Sequence, residues 1–211
     1  MHTKSCLLAF SLLLTTLSVF GQREETVLGD RGWGFSGIWG GVSWDYAPYN
    51  GSDAYNQRGY FGFEFGRALN IGWSHFRMID DVPLNVGAGE LQRLDFNFNG
   101  GFLGYSFVPY KAIHPMINVE MGQGRVSVIS PPFVGTSDNT FTIQPSAGVE
   151  INVFRWFRLG LEGGYRFVTG VDYVGLSDQD LSGAFGRATL KFGFSWGRYC
   201  KKPDYKQSYE D

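Results

Sequence analysis

The segment WSHFR, residues 73–77, brings together side-chain types that could act on a substrate. Ser74 is a potential nucleophile, His75 a potential general base, and Arg77 a group that can hold a phosphate through two hydrogen bonds. A nucleophile and its base must lie within hydrogen-bond reach, but adjacent residues of a β-strand point to opposite faces. We therefore predict no catalytic pair here, whereas His75 and Arg77 share one face with Trp73.

Carboxylates form the second candidate group. The stretch VDYVGLSDQD contains Asp172, Asp178 and Asp180, which could offer oxygen ligands to Ca²⁺, but its spacing is not that of an EF-hand loop. Ser177 is more typical of the cap of a short helical turn. Beyond residue 21 the nitrogen and sulfur ligands are widely spaced, so we predict no metal site and no cofactor. These ligands are His75, His114 and Cys200.

Apolar and polar residues alternate through TFTIQPSAGVEINVF, residues 140–154. Phe141, Val149 and Val153 fall on one parity, and Gln144 and Glu150 fall on the other. A period of two is that of a β-strand with one apolar and one polar face. A soluble sandwich would turn the apolar face inward, whereas a membrane barrel would turn it towards lipid. This stretch alone leaves both alternatives open.

The whole chain favours the membrane barrel. The connections between its predicted strands alternate between long and short, as they do in an even-stranded barrel with surface loops at one rim and periplasmic turns at the other. We therefore predict an all-β fold, an eight-stranded antiparallel up-and-down transmembrane β-barrel. The long connections near 49–53, 81–89, 131–139 and 170–182 should lie at the cell surface. The predicted strands are 32–46, 58–68, 70–79, 91–108, 115–129, 140–154, 156–168 and 183–196.

In such a barrel the polar face of every strand lines the lumen. A narrow eight-stranded barrel has little room inside, so inward charges must pair with one another. Glu150 and Glu162 could in principle form an acid–base pair, but in a charge-matched lumen we expect them to be structural. The predicted lumen network is Glu64, Arg93, Asp95, Glu120, Glu150, Arg158, Glu162, Arg166, Arg187 and Lys191.

The pattern of the fourth predicted strand decides on which face two of these charges are expected. Leu94, Phe96 and Phe98 alternate with Arg93 and Asp95. We expect the apolar three to face lipid and the charged two to face the lumen. The pair Gly100-Gly101 then shifts the parity, as a β-bulge would.

A short connection joins the sixth and seventh predicted strands. A tight hairpin centred near Phe154 would place Glu150 opposite Arg158, with Cβ atoms about 4.5–5.5 Å apart. We therefore predict a buried ion pair between these two residues near the periplasmic end of the barrel.

The N-terminus predicts secretion. Lys4 precedes an apolar run from residue 6 to residue 20, and the small Gly21 offers a cleavage site. We assign residues 1–21 to a signal peptide, 22–31 to an N-terminal periplasmic segment, 32–197 to the barrel and 198–211 to a polar periplasmic tail. Cleavage changes the net charge from −2 to −3, which argues against a nucleic-acid partner.

The last predicted strand carries a more specific signal. In KFGFSW, the residues Lys191, Gly193, Phe194 and Trp196 match the assembly signal of outer-membrane proteins. The chain resembles the small eight-stranded barrels of Gram-negative outer membranes, with the layout of the OmpA and OmpX families. The stretch GLSDQDLSG before LKFGFSWG also resembles porin-like barrels of Bacteroidetes. One departure is the tail RYCKKPDYKQSYED, since the last strand usually ends such a protein.

The resemblance implies a monomer in the outer membrane of a Gram-negative bacterium. Its partners would be outer-membrane lipid, lipopolysaccharide and the outer-membrane assembly machinery. His75 and Arg77 are then candidates for lipopolysaccharide contact. Three functions remain open: a structural or surface-interaction barrel, a narrow porin-like channel for small solutes, and a lipid A-modifying enzyme. We expect the first, and no enzyme, because inward Arg and Glu side chains should fill the lumen and no catalytic pair is evident.

Overall fold

The computed structural model describes residues 34–80, 82–84, 92–130, 133–172 and 175–196. The predicted signal peptide, the segment 22–31 and the tail 198–211 lie outside these ranges, so their boundaries stay predictions. Within the described ranges, no helix is long and apolar enough to cross a membrane.

Strands account for almost all of the described chain. Eight of them form a closed antiparallel barrel in which each strand pairs with its neighbours in sequence and β9 pairs with β1. The additional strand, β4, has three residues and pairs with β5 within the connection that follows β3. The predicted eight-stranded up-and-down barrel is therefore confirmed. The elements are β1 (Phe35–Tyr49), β2 (Ser52–Phe65), β3 (Leu69–Met78), β4 (Val82–Leu84), β5 (Gln92–Ser106), β6 (Ile113–Ser130), β7 (Phe133–Phe154), β8 (Phe157–Thr169), helix α1 (Asp178–Leu181) and β9 (Gly183–Ser195).

The two ends of the barrel differ. At the end that we call basal, β1 begins, β9 ends, and the turns 66–68, 107–112 and 155–156 join neighbouring strands. The opposite end, which we call distal, carries the connections 50–51, 79–91, 131–132 and 170–182.

Two distal connections are shorter than the sequence analysis predicted. Tyr49 pairs with Ser52, so only Asn50 and Gly51 remain in the first turn, with φ angles of 46° and 76°. An Asn-Gly pair tolerates positive φ at both positions and is a strong hairpin signal, which explains why the strands run on to this turn. In the same way β6 and β7 extend until only residues 131 and 132 separate them.

The outer face of the barrel is apolar around its basal and middle parts. Phe61, Trp73 and Val149 are exposed, by 51%, 56% and 40%, whereas Gln144 and Glu150 beside Val149 are buried. The alternation of residues 140–154 therefore has its apolar face outside. We call this outer surface the apolar band. Its exposed members include Ile38, Val42, Phe63, Ile71, Leu103, Ile117, Met121, Ile143, Leu161, Phe192 and Phe194.

Strand β5 contradicts the predicted orientation. Leu94, Phe96 and Phe98 are buried inside the barrel, while Arg93 is exposed and Asp95 lies on the same outer face. The pairing of β5 with β6 passes through Gly100 and Gly101 without a shift, so the predicted bulge was also wrong. The physical reason is the position of these residues along the barrel axis. The distal part of β5 lies beyond the apolar band, and there the outer face of the strand is polar and its inner face is apolar.

The distal part of the barrel encloses a hydrophobic core. Phe76 stacks on Phe98 with ring centroids 5.2 Å apart, and Phe96 meets Phe76 edge-on at 5.5 Å. Leu181 of α1 is fully buried in the same cluster. We call this cluster the distal core. Its members are Ala47, Tyr49, Ala54, Phe76, Met78, Val82, Leu94, Phe96, Phe98, Val126, Val128, Val168, Leu176, Leu181 and Phe185.

Candidate functional site

The basal part of the lumen holds a group of buried charges that we call the basal cluster: Glu64, His114, Glu150, Arg158 and Lys191. Glu150 is its centre, because Arg158 Nη1 lies 2.9 Å, Lys191 Nζ 3.1 Å and His114 Nε2 3.2 Å from its carboxylate oxygens. Arg158 Nη1 also lies 3.3 Å from Glu64 Oε1. Each carboxylate is thus compensated by a cation from another strand.

An inward tryptophan supports these cations. The Trp39 ring lies 3.9 Å from the Arg158 guanidinium carbon and 5.3 Å from Lys191 Nζ, distances at which the ring face attracts a cation. Both Trp39 Nε1 and Arg158 Nη2 donate hydrogen bonds to Ser195 Oγ, at 3.0 and 2.9 Å. The basal cluster is therefore fixed by packing as well as by charge.

A second group, the middle cluster, lies further along the lumen: Asp45, Arg58, Glu120 and Arg187. Arg187 makes a bidentate pair with Asp45, with Nε and Nη2 at 2.7 and 2.9 Å from the two carboxylate oxygens. Arg187 Nη1 lies 2.6 Å from Glu120 Oε1, which also pairs with Arg58. Such paired guanidinium–carboxylate contacts hold four strands together inside the barrel.

A small cavity of about 40 Å³, lined by both polar and apolar side chains, lies between the two clusters. Glu162 lines it, and its Oε2 accepts hydrogen bonds from Asn118 Nδ2 and Ser146 Oγ, both at 2.8 Å. Gly62 and Gly160 also line it and contribute no side chain. The cavity has room for a few water molecules and for no larger solute.

Arg166 lies between the middle cluster and the distal core. Its side chain is 1% exposed, its guanidinium carbon is 4.3 Å from the centre of the Tyr49 ring, and its Nη1 donates to the Tyr49 hydroxyl. Tyr49 in turn donates to Asn56 Oδ1 at 2.9 Å. Phe76 and Phe96 flank the same guanidinium at 5.7 and 5.8 Å. Aromatic ring faces thus surround this cation in the position that a carboxylate takes in the two clusters.

The lumen holds five carboxylates and five permanent cations among the described residues, but not the predicted ten. Eight of those residues lie inside: Glu64, Glu120, Glu150, Arg158, Glu162, Arg166, Arg187 and Lys191. Arg93 and Asp95 lie outside, and the other two charges of the lumen are Arg58 and Asp45. The sequence signal for Arg58 was its shared parity with Glu64, and that for Asp45 was its alternation with Trp44 and Tyr46. His114 was missed because a lone histidine has no partner visible in the sequence.

The hairpin between β7 and β8 corrects one detail. Glu150 pairs in register with Gly160 and Asn152 with Arg158, and the register shifts between Asn152 and Phe154. The predicted register was therefore wrong, because the turn consists of residues 155 and 156 rather than being centred on Phe154. The Glu150–Arg158 ion pair nevertheless forms, along a diagonal between the strands.

The outer face carries polar side chains just distal of the apolar band. His75 and Arg77 are both exposed there. Register pairs align Arg77 with Gln57 of β2 on one side and with Asn97 of β5 on the other, and Asn97 with Arg125 of β6. We call Gln57, Arg77, Asn97 and Arg125 the outer row.

Ser74 and His75 do not meet. Ser74 is buried in the lumen and donates to Glu120 Oε2 at 3.4 Å, whereas His75 is exposed outside. These two residues therefore cannot act as nucleophile and base. Within the described ranges, no group of three or more His, Cys, Asp or Glu residues could hold a metal ion.

The residues of the predicted assembly signal fall on both faces of β9 and just beyond its end. Lys191 belongs to the basal cluster, and Phe194 and Trp196 are exposed outside by 66% and 43%. Gly193 lies directly against Trp39, where any side chain would clash with the Trp39 backbone and ring. At this position, glycine is needed for close packing.

The predicted cap at the distal end is also present. Ser177 is the N-cap of α1, and Asp180 Oδ2 accepts hydrogen bonds from the Ser177 backbone N–H at 2.8 Å and from its hydroxyl at 2.7 Å. The Asp180 carbonyl accepts the Asn50 backbone N–H at 2.7 Å. The capped turn thus ties the last distal connection to the first.

Fold and site together define a small eight-stranded outer-membrane-type β-barrel with a charge-filled interior. Its fold is shared by Neisserial surface protein A, with a TM-score of 0.58 and 13% identity over 75% of this chain and 97% of that protein. A weaker likeness, with a TM-score of 0.48 and 16% identity over 77% and 99%, is to Ail, the attachment invasion locus protein of Yersinia pestis, in complex with the heparin analogue sucrose octasulfate. No family model and no curated protein sequence matches the chain.

Proposed function

We propose that this protein is an outer-membrane barrel with a closed lumen, which acts as a structural or surface-interaction protein. The observation that carries the proposal is the filling of the lumen. Two clusters of paired charges and the distal core follow one another along the axis. A solute that crossed the barrel would have to separate buried ion pairs and displace packed aromatic rings.

The apolar band supports a position across the outer membrane. Its exposed side chains surround the barrel, and only a hydrocarbon environment makes such a surface favourable. The basal end would then face the periplasm and the distal end the cell exterior. Cysteine labelling tests this orientation. With Cys200→Ser as background, Ser137→Cys should react with an impermeant reagent in whole cells, and Lys111→Cys should not. If only Lys111→Cys were labelled, the barrel would have the opposite orientation in the membrane.

Conductance measurements test the closed lumen. The purified protein, inserted into a planar lipid bilayer, should show no stable open channel. A steady single-channel conductance of the wild-type protein would contradict the proposal and favour a narrow channel for small solutes. Heat-modifiable gel mobility should confirm in parallel that the inserted protein is folded.

The outer row supports lipopolysaccharide as a partner on the outer face of the barrel, at the distal edge of the apolar band. Arg77 and Arg125 lie two strands apart, which is about 10 Å, and both are exposed at the edge of the apolar band. At that level lipopolysaccharide phosphate groups would meet them, and a guanidinium matches a phosphate with two hydrogen bonds. His75 lies next to Arg77 on the same face and adds a polar contact.

The lipopolysaccharide contact has a direct test. A variant with Arg77→Gln and Arg125→Gln should retain less lipopolysaccharide during purification than the wild type, as measured by bound phosphate. Lys111→Gln is the matched control, since it removes a positive charge at the basal end. Equal retention by all three proteins would contradict the role of the outer row and leave the closed lumen unaffected.

A further inference from the structure

A second row of polar side chains lies on the outer face of β3, β5 and β6, directly basal of the outer row. Register pairs align His75 with Asn99 and Asn99 with Gln123, and all three side chains are exposed. We call these three residues the lower row. The outer row lies two residues further distal on each of these strands. Alternate residues of a strand share a face, so the two rows form one continuous polar surface.

Apolar residues and glycines border the lower row on three sides. On the neighbouring strands its register continues into Gly59 of β2 and Phe141 of β7. One step towards the basal end, the outer face carries Trp73, Gly101 and Met121, and Trp73 and Met121 are exposed by 56% and 50%. The polar surface of the lower row therefore continues on its distal side, into the outer row. We call the two rows together the outer patch.

The two arginines of the outer patch are available to a ligand. Within the part of the chain that the structure describes, neither Arg77 nor Arg125 forms an ion pair. Arg77 Nη2 donates to the neutral side chain of Gln57, with 3.4 Å between Nη2 and Oε1. Asp95 lies one step further distal, where it aligns with Ser127. The outer patch thus carries two positive charges and contains no carboxylate that would compensate them.

The neutral members of the outer patch offer both hydrogen-bond donors and acceptors. Asn99 Oδ1 accepts a hydrogen bond from Trp73 Nε1 at 2.6 Å, which orients the amide and leaves its Nδ2 hydrogens for a ligand. Asn97 and Gln123 each add an amide on the neighbouring positions. Because hydroxyl groups also donate and accept, a surface of amides beside an exposed indole ring suits the hydroxyl groups of a sugar.

The position of the outer patch limits the kind of partner that fits it. The lower row adjoins the apolar band, and polar side chains that face hydrocarbon are unfavourable unless a partner satisfies them. A second copy of this chain on the same face would bring unpaired arginines of both copies together, and like charges repel. A small soluble anion would leave the adjoining Trp73 and Met121 uncovered. The surface therefore fits an anionic amphiphile, with its head on the two rows and its acyl chains on the apolar band.

We propose that the outer patch is a site for one lipopolysaccharide molecule, and that it recognises the sugar part of the headgroup as well as its phosphates. The inference rests on the proposed function and extends that contact from the two arginines to the lower row. Arg77 and Arg125, about 10 Å apart, hold two phosphate groups that a disaccharide separates. The lower row and Asn97 bond to the polar groups of the sugars. A phospholipid headgroup with a single phosphate fills only part of this surface.

The test is a titration of the full-length protein, refolded in detergent without lipopolysaccharide, with purified lipopolysaccharide of short chain length. Native mass spectrometry should show saturable binding of one molecule to the wild type. A variant with Asn99→Leu and Gln123→Leu should bind about tenfold more weakly, because it loses two hydrogen-bonding side chains and keeps both arginines. Thr169→Leu is the matched control, since it makes a similar change from polar to apolar at an exposed position of β8 outside the outer patch.

These variants also separate binding from folding. Leucine is more favourable than an amide or a hydroxyl on a lipid-facing surface, so the free energy of unfolding should stay equal or rise in both. Equal lipopolysaccharide binding by the wild type and the double variant would overturn the lower row as part of the site. The arginine contacts of the proposed function would then still stand. An equal loss with Thr169→Leu would show a general change of the barrel surface and would also overturn the site.

A second titration, with phosphatidylglycerol, tests whether the occupant is lipopolysaccharide or an anionic phospholipid. Phosphatidylglycerol should bind the wild type more weakly than lipopolysaccharide does, and the variant with Asn99→Leu and Gln123→Leu should bind it as well as the wild type. Both results would support recognition of the sugar by the lower row. Binding of phosphatidylglycerol as tight as that of lipopolysaccharide, with the same loss in the double variant, would overturn lipopolysaccharide as the occupant.

Discussion

The basal and distal parts of this barrel have opposite polarity. In the basal and middle parts, Phe61 and Val149 point outward while Glu150 and Arg187 are buried in the lumen. In the distal part, Phe96 is buried in the lumen, while Arg93 and Arg125 are exposed outside. One set of continuous strands therefore contains a membrane-type region and a region built like a soluble barrel.

With the barrel placed in a membrane as proposed, we infer from this difference that the surrounding solvent, and not the strand, decides which face is apolar. A strand only requires that successive side chains alternate. Where lipid surrounds the barrel, apolar side chains must face outward and the enclosed charges must pair. Where water surrounds it, the same alternation buries the apolar face. The boundary between the two regions on β5 lies between Leu103 and Asn97.

The largest expected effect comes from breaking the charge pairing of the membrane-type region. Arg187→Gln would leave Asp45 without its bidentate partner and Glu120 with Arg58 as its remaining cation. Removing one partner of a buried ion pair costs about 3–5 kcal/mol. Urea unfolding in lipid vesicles should show this loss, whereas Arg125→Gln on the outer face should change stability by less than about 0.5 kcal/mol. Equal effects would mean that the lumen charges are hydrated.

The distal core offers the corresponding test in the other region. Phe96→Ala should lower the free energy of unfolding by about 3–4 kcal/mol, as expected for a buried phenylalanine that leaves a cavity. Phe63→Ala on the apolar band should cost clearly less, because lipid chains can fill the space. The measurement is the same urea titration. A larger loss for Phe63→Ala would argue that the distal core is not closely packed.

The barrel could be predicted because the alternation of apolar and polar residues that marks each strand is visible in short stretches of the sequence. Alternation marks the eight strands. Once the alternating connection lengths select a membrane barrel, the outward face of residues 140–154 and most of the lumen charges follow from parity. Parity does not say where the solvent changes. For that reason parity predicts the wrong outward face for the distal half of β5 and places Arg93 and Asp95 in the lumen.

Partnerships across the lumen could not be predicted in the same way. Asp45 and Arg187 are 142 residues apart in sequence and meet only because β1 and β9 close the barrel. The predicted length of the first distal connection is wrong for a local reason. The Asn50-Gly51 pair indicates a two-residue hairpin, whereas the prediction includes it in a long connection.

The outer face allows the boundary between the two regions to be located. Val149→Arg places a charge within the apolar band and should cost about 2–4 kcal/mol if the residue lies near the bilayer midplane. Ser127→Arg makes the same change on the outer face of the distal region, beside Asp95 of β5, and should be nearly neutral. Ser146→Thr, inside the barrel beside Glu162, should cost much less than Val149→Arg. Equal tolerance at Val149 and Ser127 would argue against lipid around the apolar band.

The smallest effect is the coupling within the basal cluster. Glu150→Gln and Arg158→Gln would each leave a partner behind, but Lys191 and His114 still compensate Glu150, and Glu64 still compensates Arg158. We therefore expect the double variant to be less destabilised than the sum of the two single variants, with a coupling of about 0.5–3 kcal/mol. Heat-modifiable gel mobility across a urea series would measure all four proteins in one assay. Strictly additive losses would show that the 2.9 Å contact contributes no net free energy. The basal cluster would then be held by the Trp39 ring and the Ser195 hydroxyl, and Trp39→Leu should destabilise it more than either charge removal.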